Sequence, residues 1–307
     1  MSQRIIVACD GSAGAEQALT LVANEAWPPG TRVRLVTALP TSDSAAGRAM
    51  GLSAGLIVAF EQEAIAATTT TLADLARRLE RPGWSVETAV LRGRAAEAIA
   101  ADARDWSGTL VVVGSRGLGS IATMVLGSTS AELADLAPCP VLVARTTTLR
   151  PVLLATDGSD GARDAETALA GLPGIREATV RVVSVASLGN PWVASITPRA
   201  GAQAQAAHAL YVEQERASRE AVAGSAVGRL REHGIEAAWE VRVGDAAQQI
   251  VEASRDSGAA LVVVGARGLT GVARAVLGSV SRKVLVHTPV SVLVVRSGRD
   301  AGIPARD

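Results

Sequence analysis

Short, mostly apolar runs rich in β-branched residues punctuate the chain: Arg4–Cys9, Val33–Thr37, Leu110–Val113, Val141–Val143, Pro151–Thr156, Val180–Val185, Leu261–Val264 and Val292–Val295. Polar residues seldom interrupt them, the pattern of strands covered on both faces in a parallel sheet. Between them lie Ala-rich stretches with helical spacing, Ala13–Ala26, Glu61–Leu79, Ala95–Ala103 and Ser128–Leu136, each with a counterpart in the second half. This alternation predicts an α/β fold with open parallel sheets of about five strands and helices on both faces. Thr41–Phe60 and Ser187–Ala209 show neither period and read as surface loops, a lid over a ligand being the alternative.

The same unit is written twice. Leu110–Ser128 (LVVVGSRGLGSIATMVLGS) and Leu261–Ser279 (LVVVGARGLTGVARAVLGS) agree at 13 of 19 positions, at a constant offset of 151. That offset also carries Gly93 onto Gly244 and Arg104-Asp105 onto Arg255-Asp256. Asp10-Gly11-Ser12 maps onto Asp157-Gly158-Ser159 at offset 147, so the second copy holds a net four-residue insertion in between. The expected organisation is two tandem domains, 1–147 and 148–297, joined through the threonine-rich Arg145–Arg150 stretch, with a frayed tail at 298–307.

Charge narrows the function. Thirty basic and thirty acidic residues cancel, against the basic excess of a nucleic-acid binder. Five tryptophans, one tyrosine and one phenylalanine are too few for base-stacking platforms. Lys283 is the single lysine, so no Walker lysine exists. Uncharged Ala49–Phe60 is 12 residues long, short of a bilayer span, and Cys9 and Cys139 form no close pair. The chain reads as soluble, reduced and cytoplasmic, without nucleic-acid or membrane partners.

Chemistry concentrates after the Leu110–Val113 and Leu261–Val264 strands. Gly114-Ser115-Arg116-Gly117 is followed nine residues later by Gly127-Ser128-Thr129, and Gly265-Ala266-Arg267-Gly268 by Gly278-Ser279-Val280. Glycines admit positive φ and let a phosphate approach, and bare amides beside a helix N-terminus make an anion cradle without lysine. Ser128 adds a hydroxyl and suits a helix N-cap. Tight strand-to-helix turns are the competing account, which the recurrence in both copies weakens. Asp10 and Asp157 end the first strand of each copy, where an open sheet binds ligands; each suits ribose hydroxyls, a capping turn, or both. Arg116 and Arg267 either neutralise phosphate or project to solvent.

The G-2x-G-9x-G-[ST] pattern after a VVVG strand, together with an N-terminal strand ending in DGS, resembles the universal stress proteins, in particular their tandem ATP-binding members. The resemblance covers nearly all of Arg4–Arg296. It implies Rossmann-like, adenine nucleotide alpha hydrolase-like domains packed as a pseudo-twofold pair through their last strands. It also implies one ATP per domain, with or without Mg2+. Gly114, Gly117, Gly127 and Ser128, and likewise Gly265, Gly268, Gly278 and Ser279, would hold phosphate and ribose oxygens. Asp10 and Asp157 would lie beside the nucleoside, and the backbone at Ala38 and Val185 would meet the adenine edge. The copies differ at the pairing edge, where Val290-Ser291 replaces Cys139-Pro140 and His287 stands opposite Leu136.

His208, His233 and His287 are scattered, and no H-E-x-x-H, C-x-x-C, D-x-D-x-D-G or G-x-G-x-x-G occurs. No metal site and no catalytic residue is expected, and a regulatory, stress-response nucleotide-binding module outranks an enzyme. The alternatives are a slow ATPase or adenylating enzyme, and a scaffold that binds no nucleotide. A homodimer of the whole chain is compatible with either.

Overall fold

The computed structural model describes residues 3–41, 53–115, 126–188, 202–268 and 276–296. The chain divides into two compact units, Met1–Thr147 and Thr148–Asp307. The tail expected at 298–307 lies outside the described residues.

In the first unit the order is β1 (Arg4–Ala8), α1 (Ala13–Asn24), β2 (Arg32–Leu39), α2 (Ala54–Arg77), β3 (Ser85–Arg92), α3 (Ala95–Asp105), β4 (Leu110–Gly114), α4 (Ser128–Leu136) and β5 (Val141–Ala144). The second unit repeats it: β6 (Val152–Ala155), α5 (Asp160–Ala170), β7 (Val180–Ala186), α6 (Ala202–Glu232), β8 (Ala237–Val243), α7 (Ala246–Asp256), β9 (Leu261–Gly265), α8 (Ser279–His287) and β10 (Ser291–Val295). The sheets run β3-β2-β1-β4-β5 and β8-β7-β6-β9-β10, parallel throughout. Ile5, Ile6 and Val7 of β1 are fully buried, as are Val111 and Val112 of β4 and Val262 and Val263 of β9. Helices on both faces exclude water from them, which is why these runs show no polar alternation.

Strands β3 and β8 escape that pattern because water reaches them: none of their residues is buried. Glu87 of β3 accepts from Trp106 Nε1 (2.7 Å) and Arg32 (3.0 Å), and Glu240 of β8 accepts from Arg242 (3.0 Å). Charged residues on an edge strand also discourage pairing with foreign chains.

Two of the expected loops are partly helix. α2 begins at Ala54, capped by Ser53 Oγ on the Leu56 amide (3.3 Å), and α6 begins at Ala202. Leu56, Val58 and Phe60 are exposed, so their apolar character follows no buried stripe and hid the first two turns of α2. The remaining loop positions, 42–52 and 189–201, lie outside the described residues.

Candidate functional site

In both units the chain lays two strands to one side of its first, then returns to lay the fourth on the other. The crevice between the first and fourth strands, at their carboxyl ends, is the topological switch point. Registers Val7–Val112 and Leu154–Val263 bring the ends of these strands level. Asp10 and Asp157 emerge there.

Each Asp-Gly-Ser forms a capping turn. Asp10 Oδ1 accepts the Ser12 amide (3.0 Å), and Ser12 Oγ accepts the Ala15 amide (3.2 Å) to cap α1. The second unit repeats both bonds with Asp157 and Ser159, at 3.0 and 3.2 Å. Gly11 and Gly158 sit at φ +77° and +82°, a region where a side chain is strained. Asp157 does more than cap: a Cβ on Gly268 would run into its Oδ2. Carboxylate and glycine loop therefore share one crevice in the second unit.

Gly114 and Gly265 have a packing reason beside the one their motif suggests. Neither has positive φ; both are the last residues of buried strands. A Cβ on Gly114 would stand 2.5 Å from the Gly14 carbonyl oxygen and 2.8 Å from the Ala15 amide. On Gly265 it would stand 2.6 Å from the Gly161 carbonyl, and a Cβ on Gly161 would meet the Arg267 carbonyl at 2.5 Å. These glycines let the first helix close on the fourth strand. A substitution there would disturb this packing whether or not a ligand is bound.

The helix after the loop is capped by glycine, not by serine as expected. Gly127 and Gly278 are the N-caps of α4 and α8, and neither offers a side chain to the first amides. Ser128 and Thr129, like Ser279 and Val280, occupy the opening positions of those helices, Ser128 and Ser279 being exposed. A helix N-terminus so capped suits an anion. The third helical residue carries a role that the motif gave no sign of. Ser130 Oγ donates to the Gly114 carbonyl and Ser281 Oγ to the Gly265 carbonyl, both at 2.6 Å, tying the helix start to the strand end. The recurrence of Ser130 at Ser281 was the available signal. Gly127 N bonds Ser115 O, and Gly278 N bonds Ala266 O, each at 2.8 Å, so both loops return to where they leave the strand. Arg116 and Gly117 lie outside the described residues. Arg267 is half-buried, and its Cα would be 3.7 Å from a Cβ on Gly278. Ala38 and Val185 fall near the ends of β2 and β7, paired with Leu91 and Arg242.

Among the described residues, no group of three or more His, Cys, Asp or Glu could hold a metal. Neither cysteine is a nucleophile. Cys9 is 5% and Cys139 7% exposed, and burial pushes both thiols up to about 12, with Asp10 adding to the effect at Cys9. A folded-state value above the ordinary 9 means stability held below pH 9 and lost as pH rises from there towards 12. Both thiols are expected to stay unreacted with a disulfide reagent at pH 8 and to react fully in denaturant. Rapid native labelling would contradict this burial.

A model of the universal stress protein family matches residues 1–145 and again 148–296. The chain belongs to the universal stress protein family. A 228-residue stretch is 30% identical to a universal stress protein of Mycolicibacterium smegmatis and covers 71% of each chain. A shorter stretch of 72 residues, 42% identical, spans 24% of this chain and 47% of a universal stress protein of Synechocystis. A universal stress protein of Archaeoglobus fulgidus shares the fold at a TM-score of 0.62 and 18% identity, over 96% of this chain and 99% of that one. The resemblance read from the glycine spacing and the Asp-Gly-Ser turns thus holds for this universal stress protein, as does its tandem α/β architecture. Among the described residues, no helix is long and apolar enough to cross a membrane.

Proposed function

We propose that this universal stress protein binds adenine nucleotide, ATP foremost, one molecule per unit, and that occupancy rather than turnover is its output in a stress response. The observation that carries the reading is the Asp157 carboxylate facing Gly268 across the switch-point crevice, with the glycine-capped start of α8 beyond the same loop. A carboxylate accepts from ribose hydroxyls, and open helix amides attract phosphate. In this reading Gly127, Ser128, Thr129, Gly278, Ser279 and Val280 receive phosphate through their backbone. Asp10 and Asp157 hold the ribose, and Ala38 and Val185 offer backbone to the base. Mg2+ would travel with the nucleotide, since the chain offers it no ligand cluster of its own among the described residues. The units are proposed to pair about a pseudo-twofold axis, the chain to work in the cytoplasm, and a homodimer of it to be compatible with both.

Protein purified without added nucleotide, stripped by denaturation and assayed, is expected to release adenine nucleotide; refolded protein should take up two per chain by calorimetry. No release and no uptake would sink the reading in favour of a scaffold.

Turnover is expected to be far below the roughly 1–100 s⁻¹ of kinases. Phosphoryl transfer needs cations at the γ-phosphate, whereas the chain's single lysine, Lys283, pairs with Asp245 (3.4 Å). Amides that hold ground and transition states alike do not accelerate chemistry. A steady-state rate near 1 s⁻¹, lost in Asp10→Asn with Asp157→Asn, would make this an enzyme.

A further inference from the structure

The two acidic turns are built alike but are not held alike. In the second unit, Arg219 of α6 donates from Nη1 to the Asp157 main-chain carbonyl (3.2 Å). Its Nη2 lies 3.5 Å from Glu215, one turn earlier, and its side chain is only 17% exposed. One turn further along, Val222 packs on the same loop: its methyls would stand 3.2 and 3.3 Å from a Cβ on Gly158. The Asp157 turn is therefore gripped from the helix side at its carbonyl and its glycine, while its Oδ1 caps and its Oδ2 faces Gly268.

Among the described residues, the first unit lacks that grip. Arg78-Leu79 maps onto Arg229-Leu230 and Gly83 onto Gly234, which extends the offset of 151 through this helix without a gap. Thr68 and Thr71 consequently stand where Arg219 and Val222 do. Thr71 is exposed, no described residue lies within 4 Å of a Cβ placed on Gly11, and Asp10 is exposed where Asp157 is half-buried.

We infer that the two ligand sites are unequal: Arg219 is a positioning residue, assisted by Val222, that presets the Asp157 turn and makes the second site the tighter one. The inference rests on the nucleotide reading proposed above. A turn already ordered costs less to order on binding, so affinity rises without any new contact to the ligand. The guanidinium acts through the main chain of Asp157, not on the phosphates. Its effect should therefore be the same for adenosine, ADP and ATP.

The test uses the full-length protein stripped of nucleotide. Calorimetry of the wild type should give a two-phase isotherm with dissociation constants about tenfold apart. Arg219→Thr should collapse it to one phase at the weaker value, by the same factor for adenosine as for ATP. Arg219→Lys, which keeps a donor, should restore part of the gap. Thr68→Arg with Thr71→Val should tighten the first site. A ligand-free readout accompanies these: hydrogen exchange at the Ser159 amide should be slower than at Ser12 and should rise to the Ser12 rate in Arg219→Thr. Equal dissociation constants in the wild type, or a loss in Arg219→Thr that grows with phosphate number, would overturn the inference while leaving nucleotide binding intact. No binding at either site would remove the nucleotide reading and the inference with it, whereas equal exchange at Ser12 and Ser159 would overturn the grip alone.

Discussion

Gly114→Ala and Gly265→Ala are each expected to destabilise their own unit by about 3 kcal/mol in the absence of any ligand. One added methyl carbon would sit 2.5–2.6 Å from a backbone carbonyl of the facing helix, at Gly14 or Gly161. Backbone cannot swing away as a long side chain can, so α1 or α5 must lift from the fourth strand. Lifting α1 would loosen its own buried residues, among them Ala15, Ala18 and Leu19. The Asp10 turn at the head of α1 would move with it, so ligand affinity falls as a consequence rather than a cause. Denaturant unfolding with peptide-resolved hydrogen exchange on the nucleotide-free variants would localise the loss to one unit. Unchanged nucleotide-free stability with abolished binding would return these glycines to a role in the phosphate cradle.

Arg229→Ala should cost the second unit roughly 2–3 kcal/mol. Glu166 lies on α5 with its side chain 4% exposed, and Arg229 donates to both its oxygens, at 2.6 and 3.0 Å. The same bonds hold the Arg229 guanidinium above its ordinary value. Truncation strands a buried carboxylate. The expected cost sits below the range for a fully dry pair because Arg229 is itself 37% exposed and solvent screens it. Glu166→Leu combined with Arg229→Met should recover most of the loss, since two apolar residues leave no charge stranded. Urea titration of the single and double variants decides it; a double variant no better than Arg229→Ala would mean the pair is stabilising in its own right.

What could be read from the sequence followed burial. Runs such as Leu110–Val113 declare themselves because both faces are dry, and the tandem repeat fixed which elements correspond. β3 and β8 did not, because they are open to water and recruit Glu87 and Glu240 for ion pairs. The start of α2 was hidden by exposed Leu56, Val58 and Phe60, whose hydrophobicity answers to no core. At the site, the motif left some structural roles unread. Gly114 reads as a phosphate seat and is also a helix–strand contact; Ser128 reads as a cap and yields that place to Gly127. Arg219 was invisible and Ser130 showed only as a recurrence at Ser281, since a serine inside a helix and an arginine on a long polar one carry no chemistry until the fold brings them to a carbonyl.

The gripped turn at Asp157 and the open one at Asp10 give duplication a use beyond doubling capacity. Two identical sites fill from one tenth to nine tenths over roughly an 80-fold span of ligand, whereas sites tenfold apart need roughly 200-fold. A cell reading this protein would then see a graded gauge: the clamped half reports scarcity, and the open half registers only when nucleotide is plentiful. In that proposed reading one helix position, arginine in one copy and threonine in the other, would set how far apart those two marks stand on the scale.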